Sequence, residues 1–262
     1  MNKILKTELT KILNIDYPII QAPMFLVSNT KMAIEAANSG ITGCIPALNY
    51  RSLNELEASI MEFKAKSNGP IGINLIVNKF NDKKNEQLKV CIKSGVDYII
   101  TSLGNPKSTI QACKPRGIKV FCDVTNLEYA RKVESLGADA IIAVNNKAGG
   151  HLGDLSPEKL IPELVNKCNI PVISAGGVSN GKDMVKMLSL GACGVSIGTP
   201  FIATYEADIS NDYKQAIVDY TAKDIVVTDR ISGSKCTIIN TPYVKTLNLK
   251  ANRFERFLFS NK

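Results

Sequence analysis

The stretch PVISAGGVSNGKDMVKMLSLGACGVSIGT (Pro171–Thr199) carries one full structural period. An apolar, β-branched run (PVISAG) leads into a glycine pair. A segment with apolar residues at helical spacing follows, then LGA, then a second apolar run (GVSIGT). Apolar runs without polar alternation suit strands buried on both faces, as in a parallel sheet. The glycine of LGA is a natural helix stop just before the next strand. The unit therefore reads strand, helix, strand.

Working outward, the same period recurs along the chain. Strands are expected at YPIIQAPM (17–24), GCIPAL (43–48), IGINLIV (71–77), YIITSL (98–103), KVFCDV (119–124), AIIAV (140–144), PVISAG (171–176) and GVSIGT (194–199). NLEYARKVESLGADA repeats the helix-then-LGA pattern, and Gly95 in CIKSGVDYII and Gly40 after TKMAIEAANS have the same stop position. Recurrence makes this a repeat signal. Eight such units point to a closed (β/α)8 TIM barrel. An open doubly wound sheet is the alternative, but even spacing with no switch point favours closure. The expected organisation is one domain over 1–262, with the barrel at about 15–222 and a short C-terminal extension at about 223–262. That extension contains a hairpin-like piece (DIVVTDRISGSKCTIIN) and ends in RFERFLFSNK.

Composition narrows the class. Apolar residues make up 45% of the 262, enough for a large core, and no window approaches the roughly 18 apolar residues of a membrane span. The N-terminal segment lacks the apolar core of a signal peptide, so a cytoplasmic location is expected. Seven scattered cysteines without a CxxC pair read as free thiols, and a single histidine argues against a metal site. The net charge of +8 fits a solvated lysine-rich surface or attraction of anionic ligands. With no tryptophan and no basic run interleaved with aromatics, nucleic acid is not an expected partner.

In a barrel, chemistry sits at the C-terminal strand ends. Small and polar residues collect there: Ala22 and Met24, Asn49, Asn74, Ser102, Cys122 and Asp123, Lys147 to His151, Ala175 to Gly177, and Ser196 to Thr199. Gly176-Gly177 follows the seventh run and precedes a helix, and Gly198-Thr199 holds the matching place one unit later. Glycine lets backbone N–H groups approach phosphate oxygens, and these two loops are the usual phosphate site of a barrel. The plainer reading is that the glycines only turn the chain. His151, the sole histidine, follows Gly149-Gly150 at a strand end, where an imidazole could bind an anion or take a proton near neutral pH. The plainer reading there is a structural histidine. There is no GxSxG elbow and no GxGxxG fingerprint.

The motifs YPIIQAPMFLVSN, IPALNYRS, GINLIVNK, ITSLG, VFCDVTN, AGGHLGDLSP, PVISAGGVSNG and SIGTPFIATYEA occur in this order over residues 15–245. In these the chain resembles the nitronate monooxygenases (2-nitropropane dioxygenases), FMN-dependent barrel flavoenzymes. The resemblance implies that Ala22 and Met24 wall the flavin ring, that Asn74 contacts the cofactor, and that Gly149 and Gly150 pass close to it. It implies a phosphate cradle at Ala175, Gly176, Gly177, Ser196, Gly198 and Thr199, with His151 as the active-site base or substrate-binding group. The implied reaction oxidises a nitronate, or a neutral nitroalkane after deprotonation, with dioxygen to a carbonyl compound and nitrite. A homodimer is compatible with it. Three departures stand out: Lys147 where relatives often carry Glu, Cys122 where some carry His, and a C-terminal segment shorter than in relatives. FMN-dependent enoyl-acyl-carrier-protein reductase using NAD(P)H is the rival enzyme reading. A truncated flavin-binding protein without turnover is the rival from another class.

Overall fold

The computed structural model describes residues 5–231 and 233–260. The first four residues of the N-terminal segment, Ser232 of the hairpin-like piece and the last two residues of RFERFLFSNK lie outside these. A closed barrel of parallel strands is formed by β1 (Ile19–Gln21), β2 (Thr42–Pro46), β3 (Ile71–Ile76), β4 (Tyr98–Ser102), β5 (Lys119–Val124), β6 (Ala140–Val144), β8 (Val172–Ala175) and β9 (Gly194–Ile197). β9 closes the ring on β1 through Ile19↔Val195, Ile20↔Ser196 and Gln21↔Ile197. Each strand falls within its expected run, or begins one residue ahead of it at Thr42. The helices end where the LGA pattern places their stops: Gly137 and Gly191 adopt φ of 92° and 101° just past the helices Leu127–Ser135 and Gly181–Ser189. Side chains disfavour that left-handed region, which glycine occupies at little cost.

Two apolar layers result. Ile20, Cys44, Tyr98, Ile100, Phe121 and Ile142 belong to the core inside the barrel, while the alternate residues, such as Val120 and Cys122, face the helices outside. Tyr98 and Phe121 stack inside with ring centroids 5.2 Å apart. The Tyr98 hydroxyl donates to the Gly43 carbonyl at 3.3 Å, so its polar end is not orphaned. Gly72 leaves room for that ring; a Cβ there would lie 2.2 Å from it.

The chain ahead of the expected barrel start is structured too. Thr7 and Thr10 form a reciprocal cap on the helix Glu8–Leu13. Leu9 and Leu13 of that helix join the interior core and seal it at the end opposite the C-terminal rim. The extension folds as the antiparallel pair β10 (Ile225–Thr228) and β11 (Cys236–Ile239), followed by a helix at Arg253–Ser260. β11 also pairs with a two-residue strand, β7 (Gly150–His151), that the sequence reading does not anticipate. The seven cysteines are free thiols, and no helix of the described residues is long and apolar enough to cross a membrane.

Candidate active site

Strand side chains alternate between faces, so residues two positions beyond the interior core point inward at the C-terminal mouth. Beyond Ile100, Phe121, Ile142 and Ile173 stand Ser102, Asp123, Val144 and Ala175. Asn74 lies two residues past Gly72 on β3 and joins the same layer. One arc of this floor is polar. Asn74 Nδ2 donates to the Ile100 carbonyl at 3.1 Å and to Ser102 Oγ at 2.8 Å. Ser102 Oγ donates to Asp123 Oδ2 at 2.5 Å. Burial pushes the Asp123 carboxyl up to about 6, against the Ser102 bond, which pulls it down. The opposite arc is small and apolar.

The loop after β1 is tied down from inside. Ser28 Oγ donates to the Ala22 carbonyl and accepts from the Met24 amide, both at 2.9 Å. Asn49, in the turn after β2, accepts from the Leu26 amide at 2.8 Å and donates to the Ser28 carbonyl at 2.7 Å. These bonds hold Leu26 at φ 60°, an unfavourable conformation for a bulky residue, with its side chain and that of Phe25 exposed at the rim. Four loops meet at this side of the mouth. A Cβ on Gly198 would lie 3.2 Å from Met24 Sδ and 3.7 Å from Ala22 Cβ. One on Gly149 would lie 3.1 Å from Thr199 Oγ1. One on Gly176, at φ 110°, would meet Ala148 N at 2.5 Å and Asn145 Oδ1 at 2.6 Å.

Asn145 is fully buried and organises that junction. Its Nδ2 donates to the Gly176 carbonyl at 3.0 Å, and its Oδ1 accepts from the Lys147 amide at 2.8 Å. Lys147 lays its aliphatic stem against Gly177, within 3.0 Å of where a Cβ would stand. Its ammonium lies 3.6 Å from Glu158, which Lys186 also binds at 2.6 Å. The Lys186 bond, with a smaller contribution from Lys147, holds the Glu158 carboxyl down at about 2. Lys147 thus borders the glycine loop after β8.

His151 is exposed and lies on β7, where its backbone pairs with Cys236 of the extension. Thr237 Oγ1 donates to the Ala148 carbonyl at 3.0 Å, and Lys235 bridges to Asp154 at 2.6 Å. The C-terminal hairpin therefore clasps the histidine loop. Replacing Thr237 by valine keeps the shape and removes the hydroxyl. The expected result is a loss of about 0.5–1.5 kcal/mol from the clasp, read as faster hydrogen exchange at the amides of residues 148–151. Unchanged exchange would show that the hydroxyl does not hold the loop.

The geometry brings together Ala22, Met24, Gly198, Thr199, Gly149 and Gly176, and it puts Asn74 and Ala175 in the floor. Ser196, 7% exposed on β9, stands two residues before Gly198. Gly150 at φ 72° has open space where a Cβ would project. Cys122 is different: it is buried in the outer layer, bonded to Thr101, with burial pushing its thiol up to about 12. Position 122 faces the helices, and the residue of this strand end that faces the mouth is Asp123. Ser102 and Asp123, which the sequence places at strand ends without a role, bond to each other here, and Asn145 is a polar residue of the site that the sequence reading does not single out.

The comparisons with known proteins follow from this architecture. The chain is 31% identical to a probable nitronate monooxygenase of Staphylococcus saprophyticus, over 93% of this chain and 81% of that protein. It is 27% identical to a (3aS,4S,5R,7aS)-5-hydroxy-7a-methyl-1-oxo-octahydro-1H-indene-4-carboxyl-CoA dehydrogenase of Rhodococcus jostii, over 95% of this chain and 69% of that one. Among solved structures, FabK from Thermotoga maritima superposes with a TM-score of 0.86 at 33% identity, covering 92% of this chain and 76% of its own. The nitronate monooxygenase family model matches residues 6–256, and the chain belongs to that family of oxidoreductases.

Proposed function

We propose that the protein oxidises alkyl nitronates with dioxygen to a carbonyl compound and nitrite, using FMN. The observation that carries this reading is the convergence of the loops after β1, β6, β8 and β9, with His151 on the neighbouring β7. The residues present fit the cofactor. The glycine loops at Gly176-Gly177 and Gly198-Thr199 bare backbone N–H groups for a phosphate, with the hydroxyls of Ser196 and Thr199 alongside. Lys147 adds a positive charge next to Gly177. Ala22 and Met24 offer a rigid wall for a flat ring, and Gly149 and Gly150 let the backbone come close to it.

FMN, when bound, supplies the electron acceptor. The chain supplies the rest. His151 holds the anionic substrate by a hydrogen bond, or removes the α-proton when a neutral nitroalkane enters. Exposed Phe25 and Leu26 give the alkyl part an apolar rim. The test is to measure nitrite release from propionate 3-nitronate in air, after recording the visible spectrum of the dialysed protein. Flavin bands and nitrite are expected. A colourless protein that FMN cannot reconstitute would refute the cofactor assignment, and turnover without nitrite would refute the substrate.

The Thermotoga FabK likeness favours one second reading, reduction of an enoyl-acyl-carrier-protein thioester with NAD(P)H. Turnover with NAD(P)H and an enoyl thioester, in the absence of nitrite formation from nitronate, selects it.

A further inference from the structure

Asp123 has no place in the reaction derived above, yet it is a carboxyl inside the barrel with no cation bridged to it among the described residues. β4 offers it Ser102, β6 only apolar residues, β2 the neutral thiol of Cys44, and its neighbour Cys122 turns to the helices. Both thiols are pushed up by burial, and no charged group among the described residues contributes to the environment of Asp123. A carboxylate in such a place is costly unless hydrogen-bonded, and its presence marks a functional position more often than a structural one.

The bonds around it run in one direction. The Ile100 carbonyl can only accept, so the Asn74 group facing it at 3.1 Å has to be the NH₂. The second amide proton goes to Ser102 Oγ, which is free to accept because its own proton is committed to Asp123. Both Asn74 donors are thereby used. The atom left for a ligand at the mouth is Asn74 Oδ1, an acceptor.

We propose that Asp123 is a positioning residue of the cofactor site: through Ser102 it orients Asn74 to present a carbonyl oxygen to an N–H donor of the bound flavin ring. The proposal rests on the FMN reading of the mouth. Protonating Asp123 turns the carboxyl into a donor toward Ser102 and releases the serine proton, so of the two bonds that orient Asn74 the one to Ser102 is loosened, and the one to the Ile100 carbonyl kept, as pH falls through the titration of Asp123 at about 6.

The experiment compares wild type, Asp123→Asn and Ser102→Ala for FMN affinity and flavin absorbance between pH 5 and pH 8. Thermal melts are followed in parallel. In wild type, affinity should weaken and the flavin bands should shift on acidification, with a midpoint near 6. Asp123→Asn still accepts from Ser102, so it should bind FMN without the pH dependence. Ser102→Ala breaks the relay and should weaken FMN about tenfold at every pH. The melts give an independent reading. The Asp123 acid is raised in the fold, from 3.8 to about 6, so the folded state holds its proton more tightly. Relative to Asp123→Asn, wild type should lose stability as pH rises across that window. FMN uptake with the same affinity and the same pH response in all three folded proteins overturns the proposal alone. A wild-type protein that takes up no FMN overturns the cofactor reading, and the proposal with it.

Discussion

His151→Asn is expected to keep FMN bound and to slow turnover of neutral nitroalkanes by ~10²–10⁴-fold, the usual worth of a positioned general base. The variant should fold. His151 is exposed, and its backbone pairs with Cys236 in β7, a pairing that any side chain at this position can keep. Asparagine can still donate a hydrogen bond to an anion but cannot take a proton. Substrates supplied as preformed nitronates need no deprotonation, so their turnover should fall far less, by about tenfold or under for one altered hydrogen bond. The split between the two substrate forms is the diagnostic. It is read as steady-state nitrite release from a nitroalkane and from its nitronate, with the flavin spectrum as a control. Equal losses on both would assign His151 to substrate binding alone. Unchanged kinetics would return it to a structural role.

The barrel was legible because its strands are buried on both faces and therefore read as apolar runs, and because Gly137 and Gly191 mark helix ends at constant offset. The glycine loops after β8 and β9 were legible for a related reason. Close approach of backbones demands glycine, as at Gly176 against Ala148. The strand β7 has no comparable signature. β7 is two residues long and pairs with a strand more than 80 residues away, as in Cys236↔His151. No periodicity can announce so short a strand. The clasp on the histidine loop was for that reason read only as a hairpin-like piece of the C-terminal extension. The helix Glu8–Leu13 did carry a signal, in Thr7 as a cap and in apolar Leu9 and Leu13 four apart. The face that Asp123 occupies is legible as well. Period-two alternation in KVFCDV puts Phe121 and Asp123 on one face and Cys122 on the other. Reading strand ends as sets of small and polar residues, without assigning faces, left Cys122 and Asp123 side by side, and only the resemblance singled out Cys122, which faces the helices.

Gly176→Ala should be the most damaging single-methyl change at the mouth, costing ~2–3 kcal/mol of stability and most of the FMN. Two effects add. The native φ of 110° is one that an L-residue adopts only under strain. The new methyl would also stand 2.5 Å from Ala148 N and 2.6 Å from Asn145 Oδ1. Neither neighbour can yield locally. Ala148 is main chain in the histidine loop, held by Thr237, and the Asn145 side chain is committed to the Gly176 carbonyl and the Lys147 amide. The loop after β8 has to move away from the loop after β6, which opens the junction where the phosphate would sit. Gly177→Ala is the internal control. Its φ of 75° is also strained, but the methyl would meet only Lys147, whose Cδ at 2.9 Å can swing away and whose Cβ at 3.0 Å has to give by a few tenths of an ångström. It should therefore cost about 1 kcal/mol and leave most of the FMN in place. Chemical denaturation and the ratio of flavin to protein after dialysis measure both effects. If Gly176→Ala retained FMN as well as Gly177→Ala does, the phosphate cradle would have to lie elsewhere than at the junction of these two loops.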